Sequence, residues 1–95
     1  MDDDSVPAYR KGWQLEEMGG ENLLYRHVAK QALYLNESAA VVWKLCDGTR
    51  SVRQIVHMLE ETYGTGGDVA ADVRAAIDQL VREGALKLTT GRVDR

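Results

Sequence analysis

The chain has 95 residues, which is enough for one domain, because a second hydrophobic core could not be built from what remained. Its 12 basic and 15 acidic residues give a net charge of −3, which argues against nucleic acid or an anionic membrane as the main partner. The single cysteine excludes an internal disulfide, and no apolar run approaches the roughly 20 residues that span a bilayer, so we expect a soluble, cytoplasmic protein.

The first segment in chain order, residues 1–11, is predicted to be flexible. It begins with the acidic run Met1–Asp4, unlike the basic start of a signal peptide. We expect it to become ordered only near Ala8 or Tyr9 and to lie outside the core.

Three short strands are predicted next. Apolar and polar residues alternate from Gly12 onward, and the turn-forming residues 19–22 end this strand in a hairpin. Residues 23–28 form the returning strand, and residues 32–35 form the third strand after a polar interruption at 29–31. Tight links between consecutive strands predict an antiparallel meander.

Two helices follow, because the apolar period changes from two to about 3.6 at Asn36. Asn36 is a good N-cap residue, and Asp47–Gly48 is predicted to end the first helix. Ser51 and Gln54 have the spacing of a capping box, which opens a second helix that ends at Tyr63–Gly64.

A third helix is predicted to begin at the N-cap Asp68 and to stop at Gly84. The glycine-rich stretch 64–67 connects it to the second helix. Residues 85–88 add a short extended segment, and residues 89–95 form a polar tail.

This order of elements predicts an α+β domain over residues 12–88, winged helix-turn-helix-like, with a three-stranded antiparallel sheet followed by three helices. One face of the sheet should pack on the apolar stripes of the helices. The predicted core consists of Leu15, Leu24, Leu35, Trp43, Ile55, Leu59, Val73, Ile77 and Leu80. The sheet also has two edges, and an exposed edge can accept another strand.

No group of residues predicts catalysis, a metal site or a bound cofactor. His27 and His57 have no partners at zinc-ligand spacing, and Cys46 lies at the end of an apolar helical stripe, where a thiol usually behaves as a small buried hydrophobe. The stretch 64–67 lacks the lysine of a phosphate-binding loop. A binding, carrier or regulatory function remains.

A winged helix also suggests DNA binding through the third helix. The non-core positions of residues 69–83, with the N-cap Asp68, carry four acids and two bases, which would repel phosphate. This alternative depends on Arg50, Arg53 and Arg74 coming together in space. We therefore expect no nucleic-acid partner and no membrane partner.

Three segments carry a resemblance to the PqqD family, which serves pyrroloquinoline quinone biosynthesis and related peptide-modification pathways: Leu23–Tyr25, Leu33–Ala40 and Trp43–Val52. The most specific part is an L-N-x-S-A … L-C-D-G-x-x-S/T-V-x-x-I signature, matched from Leu35 to Ile55. Tyr63–Gly64, Asp72–Val73 and Glu83–Leu86 agree as well. The chain departs from the family at Arg26–His27, where many members carry a Pro-Glu-like pair.

The resemblance implies a recognition element for ribosomally synthesised and post-translationally modified peptides (RiPPs). Such a domain binds the leader of a precursor peptide and presents it to a modifying enzyme, often a radical SAM enzyme. In the family the leader adds as a strand beside the third strand and lies against the third helix. Carried to this chain, the implied peptide-binding residues are Lys30, Gln31, Ala32, Leu33, Tyr34, Val69, Val73, Arg74 and Ile77.

Several alternatives stay open at this stage. Val73 and Ile77 have the helical spacing of ordinary core residues as much as of groove residues. A scaffold that docks on an enzyme without touching substrate, or a DNA-binding regulator, would have the same fold. An open edge permits a dimer as well as a monomer. The product of the pathway is not specified by the sequence.

Overall fold

The structure, a computed structural model, describes residues 3–26, 28, 30–64 and 68–90. It confirms the predicted α+β architecture, with the sheet β2-β3-β4 followed by three helices, and it adds a second sheet of two strands. The elements are β1 (Ser5–Tyr9), β2 (Trp13–Met18), β3 (Glu21–Arg26), β4 (Gln31–Leu35), α1 (Glu37–Leu45), α2 (Val52–Tyr63), α3 (Val69–Arg82) and β5 (Leu86–Thr90).

The three-stranded sheet is the predicted antiparallel meander. Gly19 and Gly20 form the two-residue loop between β2 and β3, with φ of +56° and +83°. Both values lie in the left-handed region that glycine adopts without a steric penalty, and they suit the tight turn that matches the twist of a hairpin. The loop places Met18 opposite Glu21, and this pair fixes the register of β2 against β3.

Local sequence signals set the helix starts. The Asn36 side chain accepts a hydrogen bond from the Ala39 backbone N–H, and Ser51 and Gln54 form the predicted capping box. Asp68 occupies the N-cap position of α3 but makes no side-chain cap hydrogen bond. The helix α1 ends at Leu45, slightly before the predicted Asp47–Gly48 stop.

The prediction that the N-terminal segment is flexible and outside the core is wrong for Ser5–Tyr9. This segment is β1, which pairs antiparallel with β5, and Pro7 is among the most deeply buried side chains. The Pro7 carbonyl accepts a hydrogen bond from the Gly48 backbone N–H at 3.0 Å. The acidic composition is typical of a solvated segment and therefore did not predict a strand. The partner strand lies at the other end of the chain, where Thr89 Oγ1 donates to the Val6 carbonyl, 83 positions away.

The structure also revises the C-terminal boundary, because Thr89 and Thr90 belong to β5 and not to a tail. Residues 91–95 of the predicted tail, 65–67 of the predicted connector, His27 of the second predicted strand and Ala29 of the polar interruption lie outside the described residues, as do Met1 and Asp2 of the acidic start.

The core lies between the inner face of the three-stranded sheet and the three helices. Every predicted core residue is buried there except Leu15, which is half-buried against the others. Trp13, which starts β2, is also buried, and its indole Nε1 donates to the Gly84 carbonyl at 3.1 Å. This hydrogen bond joins the sheet to the end of α3.

The acidic N-terminus is held by two arginines on the helices. Asp3 receives a two-pronged hydrogen bond from Arg74 of α3, with N···O distances of 2.9 and 2.7 Å, and its carbonyl accepts from the Arg53 backbone N–H at 2.9 Å. The Arg53 side chain pairs with Asp4. These contacts dock the start of β1 on α2 and α3.

We expect Asp3→Asn to destabilise the fold near neutral pH and to lose this effect in acid. The hydrogen bond from Arg74 holds the pKa of the Asp3 carboxyl below its usual value. The pair therefore stabilises the fold above the unfolded pKa, and this contribution disappears as the pH falls through the lower folded pKa. The free energies of unfolding of the wild type and Asp3→Asn, measured from pH 7 to pH 2, should converge in acid.

The matched control is Asp78→Asn, which removes an exposed pair with Arg82 within α3. Because exposed pairs of this kind contribute little, its effect at pH 7 should be smaller than that of Asp3→Asn. Equal effects of the two variants would show that Asp3 does not dock the N-terminus.

Candidate functional site

The strand β4 is an edge of the three-stranded sheet, because among the strands of the described residues it pairs with β3 alone. Hydrogen-bonded and non-hydrogen-bonded pairs alternate along an antiparallel ladder. The pair that closes the Gly19-Gly20 hairpin is hydrogen-bonded, so Leu24 directs its backbone groups away from β2 and toward Leu33 of β4. The residues of β4 whose backbone N–H and C=O groups point to the open side are consequently Ala32 and Tyr34.

An apolar pocket of about 220 Å³ lies beyond the C-terminal end of this edge. Its floor consists of the buried side chains of Val42, Leu59 and Val73. Ser38 and Ala39, in the first turn of α1 just after β4, form one wall, and the opposite wall comes from α3. Only Asn36 separates β4 from α1, so this wall of the pocket follows directly on the end of the strand.

The structure brings most of the predicted peptide-binding residues to the edge or to the pocket. Gln31, Ala32 and Tyr34 are exposed on β4, and Leu33 is half-buried between the edge and the core. Lys30 is exposed at the turn before β4, with φ of +54°. Val69 and Val73 both line the pocket.

The structure separates the other two predicted residues from the pocket. Ile77 is completely buried, so it packs in the core beneath α3. Arg74 points toward the N-terminal segment, where Asp3 holds it. Neither residue is among those that line the pocket.

Sequence reasoning missed five residues of the pocket walls, one of which is Ala39 in the first turn of α1. Ser38 and Tyr63 occupy the ends of two helices, and Asp72 and Ala76 lie on the flank of α3, next to the buried stripe. The helical period places Asp72 and Ala76 beside the core residue Val73. Which flank of α3 faces α1 depends on how the helices pack, and local sequence signals do not predict that packing.

The surface of α3 has no free base for DNA phosphates among the described residues. Arg82 pairs with Asp78 at 2.9 Å, and Arg74 is taken by Asp3. The other arginines of the DNA hypothesis are also paired with carboxylates: Arg50 with Asp47 and Arg53 with Asp4. The structure therefore gives no support to a basic recognition surface.

The part of the chain that the structure describes was searched for a metal site, a membrane-spanning helix and a reactive thiol. No three His, Cys, Asp or Glu side chains come together there in a way that could hold a metal ion. No helix of the described residues is long and apolar enough to cross a membrane. Cys46 is buried, and burial followed by the charge of Asp47 raises the pKa of its thiol to about 12.

We expect Cys46 to resist alkylation in the folded protein. At pH 8 the thiol stays protonated because its pKa is raised to about 12, and only the thiolate is nucleophilic. Iodoacetamide labelling followed by mass spectrometry should give no adduct under native conditions and complete labelling in guanidinium chloride. Rapid labelling of the native protein would contradict the buried position.

Comparison with known proteins finds relatives in sequence. The family described as coenzyme PQQ synthesis protein D (PqqD) matches residues 11–86. The PqqA binding protein of Klebsiella pneumoniae (strain 342) is 36% identical over 74 residues, covering 77% of this chain and 79% of that protein.

Two solved structures share the fold. One is the PqqD truncation of Methylobacterium extorquens PqqCD, a stand-alone RiPP recognition element, with a TM-score of 0.70, 26% identity and coverage of 86% of this chain and 88% of that one. The other is a lasso peptide synthetase B1 complexed with its leader peptide, with a TM-score of 0.73 and 17% identity over 86% of this chain and 98% of that one. By sequence and by fold, the chain belongs to the PqqD family.

Proposed function

We propose that this protein is a non-catalytic peptide chaperone that binds the leader of a ribosomally synthesised precursor peptide and presents it to a modifying enzyme. The observation that carries the proposal is the open edge of β4 beside an apolar pocket. Its relatives support it, since one is named for binding PqqA and another is a RiPP recognition element. A domain of this kind needs no catalytic group of its own.

The leader binds by adding a strand to β4. Backbone groups of Ala32 and Tyr34 hydrogen-bond to the leader, each bond contributing about 0.5–1.5 kcal/mol net. Successive leader side chains point to opposite faces of the added strand. The side chains on the inner face contact Leu33 and, further along, the pocket that Val69 and Val73 line. Burying one large apolar side chain there contributes about 1.5–3 kcal/mol.

The recognition domain comprises residues 12–88 together with β1, whose pairing with β5 completes the fold. Lys30 lies at the end of the edge opposite to the pocket and attracts acidic leader residues. Ile77 and Arg74 act indirectly in this proposal: Ile77 supports α3 from the core, and Arg74 docks the N-terminus.

The test is a titration of the labelled protein with the leader of the short precursor encoded nearest its gene, followed by backbone amide shifts. Shifts should concentrate on residues 31–35 and on the pocket-facing part of α3. They should saturate at micromolar peptide, which corresponds to a binding free energy of about −8 kcal/mol. Saturating shifts confined to another surface would contradict the proposed edge. The absence of any shift would contradict leader binding itself.

The second partner in this proposal is the modifying enzyme, a radical SAM enzyme or another peptide maturase in the cytoplasm, where the Cys46 thiol stays reduced. The protein alone should modify nothing. Added to its maturase, it should stimulate modification of the leader-bearing peptide and leave a leaderless peptide unaffected. Equal stimulation of both peptides would contradict leader presentation. Whether the complex contains one copy or a dimer is measured by sedimentation in the same mixtures.

A further inference from the structure

The side chains of the three-stranded sheet that point away from the helices form a second surface of the protein. Neighbouring residues of a strand point to opposite faces, so Leu23 and Tyr25 point outward on either side of the buried Leu24. Tyr34 of β4 and Met18 of β2 point the same way and are 75% and 62% exposed. We call this surface the outer face; its large apolar and acidic side chains are Glu16, Met18, Glu21, Leu23, Tyr25 and Tyr34.

Apolar side chains occupy the centre of the outer face. Leu23 of β3 lies directly opposite Tyr34 of β4, and Tyr25 lies opposite Ala32. The Tyr25 hydroxyl donates to the Gln14 side chain at 3.0 Å, so the tyrosine reaches from β3 to β2. Adjacent apolar side chains on an exposed surface mark a site of protein association, and tyrosine is among the residues that contribute most to such interfaces.

The charge of the outer face restricts what can cover it. Its charged residues are Glu16 and Glu21, and none of the outward positions of β2, β3 and β4 carries a lysine or arginine. Two copies of this face would oppose carboxylates to carboxylates, and nucleic acid or an anionic membrane would be repelled in the same way. The outer face therefore fits a different protein, one with an apolar surface and basic residues at its rim.

The leader-binding edge borders the outer face. Ala32 and Tyr34 turn their backbone groups to the open side of β4, and their side chains belong to this face. Side chains that lie directly opposite each other on paired strands point to the same face, so the leader residues beside Ala32 and Tyr34 point outward as well. Binding of the leader thus adds a fourth strand to the outer face, and alternate leader side chains become part of its surface.

We propose that the modifying enzyme docks on the outer face and that the bound leader completes this docking surface. The inference rests on the proposed function and gives its second partner a place on the molecule. Leader residues on the inner face hold the leader to this protein, and those on the outer face contact the enzyme. Because coupling between two ligands is reciprocal, the leader tightens binding of the enzyme and the enzyme tightens binding of the leader by the same factor.

The experiment compares four full-length proteins: the wild type, Leu23→Lys, Glu21→Lys and the control Glu83→Lys. Leu23→Lys places a charge at the apolar centre of the outer face, and Glu21→Lys reverses a charge at its rim. Glu83 is the C-cap residue of α3 and is exposed on the helical side of the molecule, so Glu83→Lys makes the same charge change away from the outer face. Circular dichroism verifies each fold.

Two affinities are measured for each protein: that of the leader for the protein alone, and that of the protein for its maturase with and without the leader. All four proteins should bind the leader alone equally, within about twofold, because Leu23 and Glu21 lie on β3 and β4 separates them from the added strand. The wild type and Glu83→Lys should bind the maturase about tenfold more tightly when the leader is present. Leu23→Lys should lose about tenfold or more in maturase affinity, and Glu21→Lys about threefold, with the larger loss at low salt.

The leader gives an independent readout. Each leader residue is replaced by alanine in turn, and the affinity of the peptide is measured for this protein alone and for its complex with the maturase. We expect two alternating sets of positions: one set weakens binding to the protein alone, and the other weakens binding only when the maturase is present. A single set of positions that affects both measurements equally would overturn the inference.

The outcomes separate this inference from the proposed function. If Leu23→Lys binds the maturase as tightly as the wild type, or if the loaded wild type does not bind the maturase at all, the inference is overturned and leader recognition stands. A wild type that binds no leader overturns the proposed function and the inference with it. If Leu23→Lys does not fold, Glu21→Lys and the leader scan decide: undiminished maturase affinity of Glu21→Lys together with no alternation in the scan overturns the inference.

Discussion

Tyr34→Pro is expected to weaken peptide binding about ten- to hundredfold while the protein stays folded. Tyr34 is 75% exposed, and its backbone N–H points to the open side of β4, so proline removes a donor that the sheet itself does not use. Loss of this bond leaves a leader carbonyl unpaired, which costs about 1–3 kcal/mol, or roughly ten- to hundredfold in affinity. Titration calorimetry with the leader measures the loss.

Two further variants separate the backbone from the side chain and from the fold. Tyr34→Ala keeps the amide and should retain most of the binding. Leu33→Pro, one residue earlier, removes a donor that pairs with Leu24 inside the sheet, and it should destabilise the fold by about 2–4 kcal/mol. If Tyr34→Pro unfolds the protein and Leu33→Pro does not, the assigned direction of the backbone groups is wrong.

Leu24→Ala should have the largest effect on stability of the changes considered. Leu24 lies in the central strand of the three-stranded sheet, and its side chain is completely buried against the helices. Truncation of such a residue costs about 2–5 kcal/mol, because apolar contacts are lost and a cavity remains. Total stabilities are typically about 5–15 kcal/mol, so this variant would be marginally folded.

The measurement is denaturant unfolding followed by the fluorescence of the buried Trp13 and Trp43. Leu23→Ala is the matched control, since Leu23 is the preceding residue and points to the opposite, more exposed face of the sheet. We expect the denaturant midpoint of Leu23→Ala to shift much less than that of Leu24→Ala. The slope of the unfolding free energy against denaturant concentration should be unchanged in both variants. Equal losses would show that the inner face of the sheet does not carry the core.

The elements that local sequence signals control were predictable. The caps at Asn36 and Ser51 use side chains only three positions from their backbone partners. The pair Gly19-Gly20 specifies its hairpin because few other residues adopt the required positive φ. The buried stripes of α2 and α3 follow from the helical period alone.

The N-terminal strand was not predictable in the same way. Its pairing with β5 joins residues from the two ends of the chain, and the run of aspartates at its start is typical of a solvated segment. Asp3 and Asp4 are held in place because Arg74 and Arg53 lie opposite them in the folded protein. The same contact removes Arg74 from the surface that the family resemblance implied for it.

The sequence by itself determined the three-stranded sheet, the three helices that follow it, most of the core and the family, because these depend on periodicity and on motifs a few residues long. Only the tertiary structure decided which backbone amides of β4 remain open, how residues of three helices enclose one pocket, and which charges stay unpaired. These features depend on the register of the sheet and on the packing of one helix against another. They result from contacts between segments that are distant in the chain, so no local sequence pattern predicts them.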